Sequence, residues 1–390
     1  MMDIKKITQR ACPLCGYDVL NELKLINCLL FDDSPVSQNI RIVSCKLCGF
    51  VFYDTSSGMR EWDEFYEKHY FIRFYKYRES NHMQKELLYG FAKFLENSNL
   101  SSDSFIIDVG CGPGHFLTIL KSLGYSNLAG IDVCSDFVEE LSKRAISFFI
   151  GRAEKLPFPD LSVDCIIFSH IIEHLVNPNA ALKEMCRCIK KDGFILIEQP
   201  DLTRYDEIID MIPLNHFIFE HINHFDQFHI ESFFLQGGFR LHSKELLIKD
   251  NTPSMRILFK KTGSTPNLIS TKNFDSYKKI MGWLQSNDKF KYPEAEELIN
   301  KGYKLYLWGL SYQSLMHFSQ SNLSNKRIEG FFDIDPRKQL KTIRGKPICS
   351  PKMISKLSNT DIVLIGVGPS SKIMEETLIN EGFRGRYFLL

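Results

Sequence analysis

Short apolar runs alternate with amphipathic stretches through the middle of the chain: FIIDVG, HFLTILKSLG, NLAGIDV, DFVEELSKRA, DCIIFSH, NAALKEMCRCI and GFILIEQP follow one another in that order. A short apolar run predicts a strand buried on both faces, and a run with helical spacing predicts a helix lying across it. Their alternation predicts an α/β fold built on a parallel, helix-covered sheet. The polar stretch KKTGSTPNLISTKN, with Gly263 and Pro266, predicts a linker, and a helical arm follows from about Phe274 to Lys301. The alternation then returns in KLYLWG, SLMHFSQS, RIEGFFDID, DIVLIGVG and SKIMEETLINEG, which predicts a second, smaller Rossmann-like unit. The expected organisation is a small module over residues 1–60, an α/β domain over 61–262, and the arm with the smaller α/β domain over 263–390.

Composition narrows the function. Of 390 residues, 44% are hydrophobic and 48 basic side chains nearly cancel 47 acidic ones, so no strong field draws the chain to nucleic acid or to a membrane surface. The start, MMDIKKITQR, lacks the apolar core of a secretory signal, and no apolar run approaches the ~18 residues of a membrane span. The expectation is a cytoplasmic protein whose partner is a small molecule; no oligomeric state follows from the sequence. In a reducing compartment its eleven cysteines are expected to be free, buried or metal-bound rather than paired.

The stretch FIIDVGCGPGHF carries the most chemistry. A strand ends in Gly110, Gly112 and Gly114, and a helix opens at about His115. Glycines let the backbone turn sharply and approach a ligand, so they make room for a cofactor. The third glycine comes one residue too early for the dinucleotide pattern G-x-G-x-x-G of an NAD-dependent oxidoreductase. The carboxylate of Asp108 sits badly beside a pyrophosphate but suits a cationic amino-acid head. Asp132, followed by Val133, ends the next strand, where an acid suits a ribose diol. Ala153 and Glu154 fall in a third loop and Ser169 at the end of the fourth strand, all on the carboxyl edge where open α/β sheets bind ligands.

Two further clusters stand out. CPLCG at Cys12 and Cys15 and CKLCG at Cys45 and Cys48 form two glycine-closed knuckles, whose four thiolates suit a closed, structural Zn²⁺ site. FEHINHFDQFH, residues 219–229, holds three histidines among aromatic rings. It reads as a metal site using His221 and His224, as a polar seam in a core with Phe217, Phe219, Phe225 and Phe228, or as a proton-transfer site. The seam accommodates His216 and His229 better than the adjacent Glu220 and His221, because ionisable groups among rings need partners. For that pair proton transfer is the expectation. His174, in SHIIEHLVNP, reads either as a second polar group at the acceptor or as a capping or packing histidine. Tyr66, Tyr70, Tyr75 and Tyr77 read as a lid over the cofactor or as the face of a core helix.

The motifs DVGCGPG, GIDV, AEKLPFPD and FSHIIEHL resemble the successive motifs of the class I S-adenosylmethionine-dependent methyltransferases, over roughly Ile106 to Pro200. The resemblance implies a Rossmann-like core that binds S-adenosylmethionine. Gly110, Cys111 and Gly112 would line its methionine part and Asp132 would take its ribose. Ala153 and Glu154 would flank the adenine, with Ser169 near the sulfonium.

With the cysteine module, the E-H-x-x-x-F element (Glu220, His221, Phe225) and the C-terminal α/β unit, nearly the whole chain resembles the deoxysugar C-methyltransferases. That implies C-methylation of a nucleotide-linked sugar or related glycan precursor, with His221 as general base and a structural zinc ion in the N-terminal module. Two departures are visible. Ile218 and Phe219 replace the family's tyrosine and histidine, and bulky Tyr312 and Gln313 occupy the first loop of the C-terminal unit. O- or N-methylation of another small metabolite, and a non-catalytic binding or assembly protein that keeps the cofactor fold, are the rival expectations.

Overall fold

The computed structural model describes residues 9–69, 82–207, 217–249, 252–263, 272–286, 291–368 and 370–390. The chain divides into two compact units, one of residues 1–23, 43–208 and 220–282 and one of residues 24–42, 209–219 and 283–390.

The chain begins with β1 (Leu20–Asn27), β2 (Asn39–Cys45) and β3 (Val51–Tyr53), which with β9 (Asn223–His224) form a four-stranded sheet in the order β1-β2-β3-β9. Helices α1 (Met59–Lys68) and α2 (His82–Leu95) follow. Next come β4 (Ile106–Val109), α3 (His115–Ser122), β5 (Leu128–Asp132), α4 (Val138–Lys143), β6 (Ser147–Ile150) and β7 (Val163–Ser169). Then α5 (Pro178–Cys188), β8 (Ile189–Pro200), α6 (Gln227–Gln236), β10 (Phe239–Lys249) and β11 (Thr252–Lys261) complete a seven-stranded sheet, ordered β10-β11-β8-β7-β4-β5-β6.

Every residue of β4 is buried, as its apolar IIDV run requires of a strand covered on both faces. Strands β4 to β8 pair in parallel, as the alternation predicts. The sheet as a whole is mixed, because β11 pairs antiparallel with β8 and β10 antiparallel with β11. A continuous apolar run does not distinguish these two pairing modes, and only the tertiary pairing sets the direction. The strand order reverses at β4, with β5 on one side and β7 on the other, which leaves a crevice beyond its carboxyl end.

Local chemistry fixes the helix starts. The Asn177 side chain accepts from Ala180 N at the head of α5, with Pro178 in the first turn, and the Asp226 side chain accepts from His229 N at the head of α6. On α5 the buried face is Ala181, Leu182, Met185 and Cys188, packed with Ile166, Phe168, Ile195 and Ile197 of the sheet.

Helices α7 (Asp275–Ser286) and α8 (Pro293–Asn300) follow. In the second unit, β12 (Lys304–Trp308), α9 (Tyr312–Gln320), β13 (Ile328–Phe332), β14 (Thr342–Ile343), β15 (Lys346–Cys349), β16 (Asp361–Ile365), α10 (Ser371–Asn380) and β17 (Arg386–Leu389) build a six-stranded sheet. Its order is β14-β15-β13-β12-β16-β17, with β12 parallel to both β13 and β16. Tyr312 packs against Phe31 and Phe219 within this unit, at ring-centroid distances of 5.8 and 5.6 Å. Of the two acids after its second strand, Asp333 accepts from Leu310 N and from Lys338 Nζ, and Asp335 pairs with Arg337. Among the described residues no helix is long and apolar enough to cross a membrane.

Candidate functional site

The loop after β4 turns through three left-handed glycines, Gly110 (φ 71°), Gly112 (φ 50°) and Gly114 (φ 71°), a path that a side chain at each position would strain. Gly110 has a further reason to be glycine, because an added Cβ would stand 2.0 Å from Ile171 Cδ1. The loop after β7, which carries Ile171, therefore lies directly against the glycine loop. Asp132 holds the turn from the neighbouring strand: its Oδ2 accepts from Gly112 N at 2.9 Å and its Oδ1 from Cys134 N at 2.9 Å. Burial raises the Asp132 carboxyl, while these backbone donors oppose the rise.

Asp108, at the end of β4, is buried, and its carboxyl makes no hydrogen bond among the described residues. Burial and then the charge of Asp132 push it up to about 8. A buried, unpartnered carboxyl facing a second acid is costly as a bare charge and calls for a cation, so this donor set fits a cationic ligand head. Ala153 is buried in the loop after β6, Glu154 is half-buried with its carboxyl raised by burial, and Ser169 is half-buried at the tip of β7. Val133 follows Asp132, and Cys111 Sγ donates to Gly112 O at 3.4 Å. The predicted cofactor residues thus gather along one sheet edge.

The other side of this edge gathers acid–base groups. His174 Nδ1 lies 2.9 Å from the backbone carbonyl of Glu220 and 3.0 Å from the Tyr66 hydroxyl of α1. A carbonyl only accepts, so Nδ1 carries the proton and Nε2 is the basic nitrogen of the neutral ring. Burial lowers the His174 pKa, which favours that neutral form. The His221 ring stands edge-on to His174, centroids 4.9 Å apart. Ring nitrogens of both and a carboxylate oxygen of Glu173 all lie within 4.8 Å of one another. Glu220 enters through its carbonyl, while its own carboxyl is buried and is pushed up to about 7 by that burial.

Sequence reasoning passed over Glu173 and His170, although both lie in the quoted motif FSHIIEHL. His170, with φ 54°, sits at the end of β7 with Nδ1 3.1 Å from Glu173 Oε1 and Nε2 3.2 Å from Glu198 Oε1. A positive φ at a bulky residue was the local peculiarity, and no sequence pattern announces it.

The remaining histidines of FEHINHFDQFH have other neighbours. His224 packs against the rings of Tyr53 and Tyr205, and its Nδ1 lies 3.3 Å from the Tyr205 hydroxyl. His229 is buried, with Nδ1 2.8 Å from Asp226 Oδ2 and Nε2 3.0 Å from the Cys48 carbonyl. Phe217, Phe219 and Phe225 are buried and Phe228 half-buried. His216, Tyr70, Tyr75 and Tyr77 lie outside the described residues.

The four knuckle cysteines converge, with Cys12 Sγ 3.7 Å from Cys48 Sγ, Cys15 Sγ 3.5 Å from Cys45 Sγ, and all four sulfurs within 4.8 Å. Four sulfurs placed ~2.3 Å from a tetrahedral ion would stand roughly 3.8 Å apart, so the cluster fits Zn²⁺. Arg10, two residues before Cys12, ties this module to the site loop. Its Nη2 donates to Leu175 O (3.1 Å), Val176 O (2.8 Å) and Asn223 Oδ1 (2.9 Å). Of the other cysteines, Cys28, Cys134, Cys165 and Cys188 are buried, and Cys111, Cys186 and Cys349 half-buried.

Residues 77–244 match the family described as "Methyltransferase domain". The chain is 30% identical over 127 residues to an uncharacterized methyltransferase, YcgJ, of Bacillus subtilis, covering 30% of this chain and 49% of that protein. It is 34% identical over 110 residues to the ubiquinone/menaquinone biosynthesis C-methyltransferase UbiE of Rickettsia rickettsii, covering 25% and 44%. It is 31% identical over 109 residues to the tRNA (carboxymethyluridine(34)-5-O)-methyltransferase of Arabidopsis thaliana, covering 27% and 26%. The chain spans less than half the length of the curated relatives it matches. Among solved structures, the PH0226 protein of Pyrococcus horikoshii aligns at 21% identity with a TM-score of 0.41, covering 50% of this chain and 99% of that one. Residues 77–244, which carry the glycine loop and the parallel strands β4 to β8, thus resemble a methyltransferase domain in sequence and are Rossmann-like in sheet order.

Proposed function

We propose that this class I domain acts as an S-adenosylmethionine-dependent methyltransferase on a small molecule, with C-methylation of a nucleotide-linked keto sugar or related glycan precursor as the preferred reaction. One observation carries the reading. The glycine loop beside Asp108 and the His174–His221 pair share one sheet edge, with Ile171 of the histidine loop seated on Gly110.

The cofactor supplies a methyl carbon made electrophilic by a positive sulfur. Asp108 offers its carboxylate to the cationic head, and the glycine loop lets backbone N–H groups approach closely. Asp132, with Val133 beside it, would take the ribose, Ala153 and Glu154 would flank the adenine, and Ser169 would lie near the sulfonium; Cys111 completes the loop. On the acceptor side, His221 takes the proton from the carbon next to the acceptor's carbonyl, leaving an enolate. His174, neutral with Nε2 unprotonated, and Glu220 are the further polar groups there. A base contributes typically ~10² to 10⁴ in rate, and alignment of the two reactants can contribute more.

The four knuckle cysteines hold a structural Zn²⁺, and residues 263–390 form the arm with a second, Rossmann-like domain. The protein works in the cytoplasm. The resemblance of the whole chain to deoxysugar C-methyltransferases supports the sugar acceptor.

The test is mass spectrometry of products after incubation with methyl-labelled S-adenosylmethionine and a panel of nucleotide keto sugars. Transfer to carbon is expected, together with His221-dependent exchange of the acceptor's C–H for deuterium in heavy water. Label on oxygen or nitrogen would give the O- or N-methyltransferase reading. Failure to bind S-adenosylmethionine would leave a binding or assembly role.

A further inference from the structure

Glu173 is buried, and its two oxygens have different surroundings. Oε1 faces His170 Nδ1 at 3.1 Å, whereas Oε2 is buried with no hydrogen-bond partner among the described residues. A buried carboxylate oxygen left unmatched is costly, so its persistence at a sheet edge needs a reason. A carboxylate oxygen of Glu173 lies within 4.8 Å of ring nitrogens of both His174 and His221.

His170 holds Glu173 in place. Its ring stands between two carboxylates, 3.1 Å from Glu173 and 3.2 Å from Glu198. The His170 Nδ1 is placed to donate to Glu173 Oε1. Glu198 is anchored in turn by Arg256, whose Nε donates to its Oε2 at 2.6 Å, while Arg256 Nη1 reaches Glu245 at 3.0 Å. The row Glu245–Arg256–Glu198–His170–Glu173 runs across β10, β11, β8 and the tip of β7 and stops at the two histidines. Its last member is the carboxylate with the unmatched oxygen.

We propose that Glu173, clamped by His170, is a positioning residue for His221 and serves as counter-ion to the imidazolium that His221 becomes on accepting the acceptor's proton. This rests on the proton-transfer role given to His221 above. Among the described residues, the groups near His221 include Glu173, the neutral ring of His174 with Tyr66 behind it, and the adjacent Glu220; His170 touches Glu173. Of these described groups, Glu173 is the buried carboxylate with an oxygen left unmatched beside the two rings. An opposite charge within about 4–6 Å raises a histidine pKa by roughly one to three units, which makes the ring a stronger base and favours its charged product.

The experiment is an NMR titration of the His221 ring in the full-length, S-adenosylmethionine-bound protein, with the pH profile of kcat/KM measured alongside. In Glu173→Gln the ring pKa and the acid limb of the profile are expected to move down together by about one to two units. The rate plateau should fall roughly tenfold to a hundredfold, with cofactor affinity retained. His170→Asn, a residue that accepts the left-handed backbone, should move both in the same direction by a smaller amount. An unchanged His221 titration in a Glu173→Gln protein that still binds cofactor overturns the proposal, as does a shift upward. If Glu173→Gln does not fold, an unchanged titration in His170→Asn overturns it. The ring titration needs no acceptor, so failure to methylate any acceptor would count against the proposed reaction and not against this pairing.

Discussion

His174 donates from Nδ1 to the backbone carbonyl of Glu220, 2.9 Å away, and so joins the loop after β7 to the segment that carries His221. The bond fixes the His174 tautomer and turns two sequence-distant motifs into one site. In a neutral ring whose Nδ1–H is committed, Nε2 is the atom left for proton chemistry.

His221 is expected to matter to turnover and not to cofactor binding. His221→Ala should lower kcat by about 10² to 10⁴, while calorimetry finds S-adenosylmethionine affinity nearly unchanged. An equal loss of both would assign His221 to folding.

The pH dependence of cofactor binding should report Asp108. Its carboxyl is pushed up to about 8 in the ligand-free protein, so it is mostly protonated at neutral pH. Its folded pKa lies above its unfolded value, so the folded state is favoured at low pH and loses that advantage as pH rises towards the folded value. A cationic ligand reverses the preference and expels the proton. Calorimetry at neutral pH in buffers of different ionisation enthalpy should show a proton released on S-adenosylmethionine binding. Asp108→Asn should abolish that release and weaken binding by at least about tenfold, the equivalent of ~1.4 kcal/mol, while melting higher than the parent in alkaline buffer without ligand.

Removal of metal should act on the site through the knuckle module. The purified chain should carry one Zn²⁺, measured by elemental analysis, and a strong chelator should lower its melting temperature, because the four clustered thiols would repel or oxidise without an ion. Turnover should fall with the metal, since β3 of the module pairs with β9, two residues beyond His221. Full activity and unchanged melting after complete zinc removal would rule out the structural role.

Arg10 tests the same linkage without metal chemistry. Arg10→Met keeps the bulk but leaves the carbonyls of Leu175 and Val176 and the Asn223 amide oxygen without this donor. A loss of about 2–4 kcal/mol in unfolding free energy is expected by denaturant titration. Methyl transfer should fall at temperatures where the protein is still folded, because the loop after His174 has lost its tether.

Pattern and spacing along the chain were enough for the strands and glycine loop around Asp108, Gly110, Gly112 and Gly114 and for the two cysteine knuckles. Strand burial, left-handed turns and the reach of two thiolates in a tight turn are properties of contiguous residues, so the local sequence determines them. The antiparallel pairing of β10 and β11, the use of the Glu220 carbonyl rather than only its carboxyl, and the meeting of Glu173, His174 and His221 came from tertiary structure alone. These depend on which segments lie side by side after the sheet has closed. A hydrogen bond across 46 residues, such as that from His174 to Glu220, leaves no periodicity in the chain to read.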